Sequence, residues 1–145
     1  LRAMLQSVGV KNIIDARDGQ HAIRKLSEYQ VDLIITDWVM EEMDGIELTR
    51  WIRNDPASPD EFLPIIMVSG HTEANRIEMA RDAEFMAKPL TGVGLIQRLV
   101  AVIEYPRPFV RTDNYFGPDR RRKVESFDGE ERRAAELRDR DARSA

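Results

Sequence analysis

Apolar positions along this chain follow two rhythms that alternate. Val31-Asp32-Leu33-Ile34-Ile35-Thr36-Asp37 has five apolar or β-branched residues in seven and ends on a carboxylate. A run so short and so apolar predicts a strand buried on both faces. Leu63-Pro64-Ile65-Ile66-Met67-Val68 is a second such run, with its proline near the start, where a missing N–H is tolerated. Asn12-Ile13-Ile14-Asp15-Ala16 and Glu84-Phe85-Met86-Ala87 predict two shorter strands. Elsewhere the apolar residues recur at helical spacing. Leu1, Met4, Leu5 and Val8 form one stripe, which Gly9 is placed to end. After the turn signal Asp18-Gly19, a helix over 19–29 turns Ala22, Ile23, Leu26 and Tyr29 or Gln30 inward. Asp44 is a plausible N-cap for a helix over 46–53, with Ile46, Leu48, Thr49 and Ile52 inside. A further helix is expected from Thr72 or Glu73 to about Ala80. A last one runs from Thr91 to Glu104, its apolar side made of Leu95, Ile96, Leu99, Val100, Val102 and Ile103.

Strands alternating with helices across short loops predict an α/β fold with a doubly wound parallel sheet. In such sheets ligands bind just outside the carboxyl ends of the strands, where Asp37 falls. Read from this strand alone, Asp37 is as readily a turn cap as a site residue.

The 145 residues suffice for one domain with a sizeable core. No apolar run approaches the roughly 20 residues of a membrane span, and no signal peptide opens the chain. Cysteine is absent, which excludes disulfides and thiolate metal sites and fits a reducing, cytoplasmic setting. Charge is unevenly distributed. Of 22 Lys/Arg and 26 Asp/Glu, residues 105–145 hold eleven and nine, leaving eleven against seventeen before them. The body is therefore net −6 and the tail +2. An acidic body argues against nucleic-acid binding by the folded part.

Beyond Asp37 comes Trp38-Val39-Met40-Glu41-Glu42-Met43-Asp44-Gly45. Asp-x-x-Met-x-x-Met-Asp-Gly after an apolar strand resembles the phosphorylation-site loop of response-regulator receiver domains, from bacterial two-component signalling. That family carries a Ser or Thr and a Lys-Pro at the ends of two later strands. Met67-Val68-Ser69-Gly70 and Phe85-Met86-Ala87-Lys88-Pro89 supply both, in order. The resemblance covers about residues 1–104, leaving 105–145 as a charged extension expected to be partly helical or disordered.

The resemblance implies a flavodoxin-like fold and a phosphoprotein that signals, with no enzymatic activity of its own. Asp37 would be the nucleophile, forming an aspartyl phosphate. Lys88 would pair with a phosphoryl oxygen, and Ser69 would donate to another. Asp37 and the Val39 carbonyl would take positions on Mg²⁺, and Phe85 would be the switch aromatic that moves with Ser69. The implied partners are a histidine kinase or phosphotransfer protein and a downstream protein target, with no DNA-binding domain and no membrane.

Each residue also has an ordinary reading. Lys88 alone is a surface lysine, Ser69 a cap or turn residue, and Phe85 and Trp38 core aromatics. His71 is a surface histidine beside the site mouth. His21 has no partner at metal-ligand spacing.

Three departures from the family are visible. The first strand is missing, so the receiver reads as N-terminally truncated, and the acidic pair that helps to bind Mg²⁺ has no counterpart. An open central position in the sheet makes a homodimer by domain exchange physically plausible. Glu41 stands where the family has Pro, which loosens the loop and adds a carboxylate. Arg81-Asp82-Ala83-Glu84-Phe85 runs straight into the strand, about three residues short of the family's Gly-containing turn.

Two other functions compete. An unphosphorylated pseudo-receiver would serve as an interaction scaffold. An aspartyl-phosphate hydrolase would need a second acid two residues past the nucleophile, where Val39 stands. In the tail, Tyr105-Pro106-Arg107-Pro108-Phe109-Val110 reads as extended and 114–119 as a turn. Arg120-Arg121-Arg122-Lys123 beside Tyr115 and Phe116 could contact RNA or an acidic partner. The dense acidic residues after it favour a solvated tail or a strap onto the acidic body. Residues 130–143 alternate charge at helical spacing.

Overall fold

The computed structural model of the chain describes residues 1–70 and 83–119. The helix expected from Thr72, His71, Arg81-Asp82, the basic run and 130–143 lie outside the described residues. The described elements are α1 (Arg2–Ser7), α2 (Gly19–Glu28), β1 (Ile34–Asp37), α3 (Gly45–Asn54), β2 (Ile65–Ser69), β3 (Glu84–Ala87), α4 (Gly92–Glu104), β4 (Phe109–Thr112) and β5 (Tyr115–Pro118).

β1, β2 and β3 form one parallel sheet in that order. All five residues of the central β2 are buried. Alternation along a strand sends Ile65 and Met67 to one face, with Leu26 of α2 and Leu48 and Ile52 of α3. Ile66 and Val68 go to the other, with Leu5 of α1 and Leu95, Leu99 and Val102 of α4. Helices on both faces of a parallel sheet make this the doubly wound α/β class read from the sequence.

Local signals set the helix starts. The Asp18 carboxylate accepts from the His21 N–H at 2.7 Å, so a residue read as a turn signal is the N-cap of α2. That N–H, helped by Arg17, holds the Asp18 carboxyl below its ordinary value of 3.8. Asp44 caps α3 in a reciprocal box: it accepts from the Glu47 N–H at 2.8 Å, and Glu47 accepts from the Asp44 N–H at 2.9 Å.

Three expectations are corrected. Asn12–Ala16 joins no sheet. Ile13 packs against the α4 side of the core, while Ile14 is exposed. A strand exists through its ladder, and apolar residues without a partner do not make one. On α4 the apolar residues divide: Leu95, Leu99 and Val102 are buried, whereas Ile96, Val100 and Ile103 are exposed on the far side. Finally, 109–118 is an antiparallel hairpin joined by Asp113-Asn114, where extended chain and a turn were expected. Phe109 and Phe116 pack on Phe62, with ring centroids 5.1–5.5 Å apart, and this non-local contact holds it.

Ile52→Ala empties a fully buried position and should cost about 2–5 kcal/mol. Ile103→Ala, on the exposed stripe, should stay within about 0.5 kcal/mol. Urea unfolding of both variants checks the split. The lowered Asp18 pKa means that its charge stabilises the fold above pH 3.8, a contribution lost as pH falls through the folded-state value. Asp18→Asn should therefore be less stable than wild type at neutral pH and converge with it in acid, as paired melts across pH would reveal.

Candidate functional site

The parallel register brings three polar residues to one edge of the sheet. β1 ends at Asp37, paired in register with Val68, and β2 ends at Ser69, paired with Ala87. Lys88 follows Ala87 directly. Lys88 Nζ lies 2.6 Å from Asp37 Oδ1, and both side chains are 48% exposed. A half-solvated pair of this kind is worth about 0–1 kcal/mol, too little to be the reason for the fold. It leaves the carboxylate reachable from solvent with an ammonium beside it. Ser69 is buried, and its carbonyl accepts the Lys88 N–H at 2.8 Å, which fixes where the lysine starts.

The loop after Asp37 is held by its backbone. The Trp38 N–H donates to the Val68 carbonyl at 2.9 Å, and the Trp38 carbonyl accepts the Gly45 N–H at 2.8 Å. A Cβ on Gly45 would sit 2.3 Å from the Asp37 carbonyl oxygen. Gly45 thus lets α3 begin against the strand end. The sequence reading included it in the motif but gave it no role; the Asp44-Gly45 step was the available signal. Glu42 adopts φ +64°, an uncommon value for a residue with a side chain, so the loop carries a local backbone constraint.

Trp38 is buried and meets Phe85 edge-to-face, with centroids 6.3 Å apart at 88°. Phe85 is half-buried and faces inward. Val39, Glu41 and Glu42 are exposed. His21 accepts the Arg17 N–H on Nδ1 at 3.3 Å.

The fit to a divalent cation is partial. Among the described residues no group of three or more His, Cys, Asp or Glu could hold a metal. The chain offers the Asp37 carboxylate and the Val39 carbonyl, so a magnesium ion would rely on water and phosphoryl oxygens for its other positions.

Comparison with known proteins follows the same lines. A family model described as the response regulator receiver domain matches residues 1–100. The chemotaxis protein CheY of Pseudomonas aeruginosa is 30% identical over 107 residues, covering 72% of this chain and 85% of that protein. CheY-3 of Vibrio cholerae is also 30% identical, over 72% of this chain and 81% of its own length. Among solved structures, Vibrio cholerae CheY4 gives a TM-score of 0.62 at 26% identity, over 70% of this chain and 84% of that one. The receiver domain of a signal transduction histidine kinase from Syntrophus aciditrophicus gives 0.61 at 27% identity, over 79% and 87%.

Gly45→Ala should cost about 1–3 kcal/mol, because the new methyl collides with backbone that the sheet holds in place. A chemical-denaturation midpoint equal to wild type would show that the Asp37 carbonyl can give way.

Proposed function

The chain belongs to the response regulator receiver family of two-component signalling, and from that we propose that it is a phosphorylation-controlled module whose acceptor is Asp37. The observation that carries the reading is the Lys88 ammonium 2.6 Å from the Asp37 carboxylate at the carboxyl ends of β1 and β3.

Phosphoryl transfer asks little covalent chemistry of the protein and much positioning. An Asp37 oxygen attacks the phosphorus of a phosphohistidine on a histidine kinase or phosphotransfer protein. The P–N bond to the donor breaks as the P–O bond forms. Lys88, a compact ammonium, pairs with a non-bridging oxygen of the arriving group. Ser69 is at the neighbouring strand end, and its hydroxyl donates to a second oxygen. Asp37 and the Val39 carbonyl would hold Mg²⁺, which offsets the charge of the dianion against that of the carboxylate when bound. Phe85, whose ring meets Trp38 beside the acceptor, would be the switch aromatic that moves with Ser69, as the family resemblance implies. Output is a change in population between two arrangements, read by a downstream protein through contact. None of the described helices is long and apolar enough to cross a membrane.

Incubation with acetyl phosphate and Mg²⁺, followed by intact-mass measurement, should add one phosphoryl group to the wild type and none to Asp37→Asn. Label that persists in the variant would move the acceptor elsewhere. No label from acetyl phosphate or from a kinase donor would turn the account to an unphosphorylated interaction scaffold.

A further inference from the structure

The hairpin of β4 and β5 packs at the end of the domain opposite Asp37. Phe62 and Glu84, which it engages, precede or open strands whose other ends carry Ser69 and Lys88. The buried Arg53 guanidinium lies 5.0 Å from the Phe109 ring centroid and donates to the Glu61 and Leu63 carbonyls, both at 2.8 Å. The Arg111 guanidinium lies 4.0 Å over Phe116 and 3.6 Å from the Glu61 carboxylate.

The tightest link is to Glu84, the first residue of β3. Its Oε1 takes Arg107 at 2.5 Å and its Oε2 takes Arg98 of α4 at 2.9 Å. Arg107 also donates to the Asp119 carbonyl at 3.0 Å, and the Asp119 N–H donates to the Pro108 carbonyl at 2.7 Å, closing the base of the hairpin. The other end of β3 runs into Lys88. At about 3.3 Å per residue, the clamp and the phosphate-facing lysine are about 13 Å apart on one strand. That strand is laddered to β2 from Glu84 to Ala87, so one continuous hydrogen-bonded element joins the clamp to the lysine.

We propose that β3 couples the state of the Asp37 site to the docking of residues 105–119, making the hairpin an output element of the domain. The acceptor reading above supplies the physiological driver; the coupling itself stands on the strand and its two ends. The docked state is not fully satisfied: the Arg107 Nε–H is buried and donates no hydrogen bond among the described residues, which opposes docking. Docking also shapes a cavity of about 640 Å³ between α3 and the hairpin, lined by Arg50, Trp51, Asn54, Arg111, Asn114 and Tyr115. Release of the hairpin would remove one wall of it and uncover the Arg50, Trp51 and Asn54 side of α3, and that change is what a partner could read.

Amide hydrogen exchange of the full chain tests this in wild type, Lys88→Ala, Arg107→Ala and the double variant, with β2 amides reporting that the core is intact. Arg107→Lys replaces Arg107→Ala if the core loosens. Lys88→Ala removes the side-chain tie to Asp37 while the backbone bond to the Ser69 carbonyl stays, so exchange at 109–118 should quicken by about twofold to fivefold. The double variant should depart from the product of the single effects. Acetyl phosphate with Mg²⁺ should shift hairpin exchange in wild type and leave Asp37→Asn unmoved. Hairpin exchange indifferent to Lys88→Ala, with multiplicative single effects, overturns the proposal. So does a chain that gains a phosphoryl group while its hairpin exchange stays constant. Coupling seen in the variants without any phosphoryl gain supports the proposal and removes the acceptor reading instead.

Discussion

The site depends on β2 more than on any residue in it. β2 is buried along its whole length and laddered on both sides. Asp37 reaches its position because β1 is registered on Val68, and Trp38 is pinned to the Val68 carbonyl. Lys88 reaches its position because its N–H is held by the Ser69 carbonyl. The two charged groups thus meet through a shared neighbour whose packing places both strand ends. Their own attraction, half in solvent, contributes little to that placement.

Stability and chemistry are consequently carried by different residues. The side chains with no exposure, Ile52, Ile66, Met67 and Leu95, lie in the layers above and below the sheet. Asp37, Val39 and Lys88 are exposed. Gly45 stands between the two groups: its missing side chain allows α3 to start within contact of the acceptor strand. Tight backbone approach there is a requirement of the site that is met by a core-type constraint.

What was legible in the sequence was what local pattern determines. The apolar runs gave β1 and β2 and their polar ends, and the resemblance named Ser69 and Lys88 as companions of Asp37. The doubly wound class followed from alternation alone. What was not legible depends on distant partners. Asn12–Ala16 has strand composition but no ladder among the described residues. Periodicity marked six apolar residues on α4, more than one face can bury, and could not say which three would be covered. The hairpin exists because Phe109 and Phe116 find Phe62, 47 and 54 residues earlier, a contact that no local propensity announces. Gly45 was visible as a motif letter, while its reason, the approach of the Asp37 carbonyl, is tertiary.

The closure of the hairpin at Asp119 has a geometric consequence. Its N–H and carbonyl are both tied to the base of the hairpin, so in the docked state Asp119 closes the hairpin at the end of the sheet away from Asp37. A partner that delivers phosphate at Asp37 and one that reads the hairpin would meet the domain at opposite ends of its strands. Competition for a single surface would not limit how the signal is received and passed on.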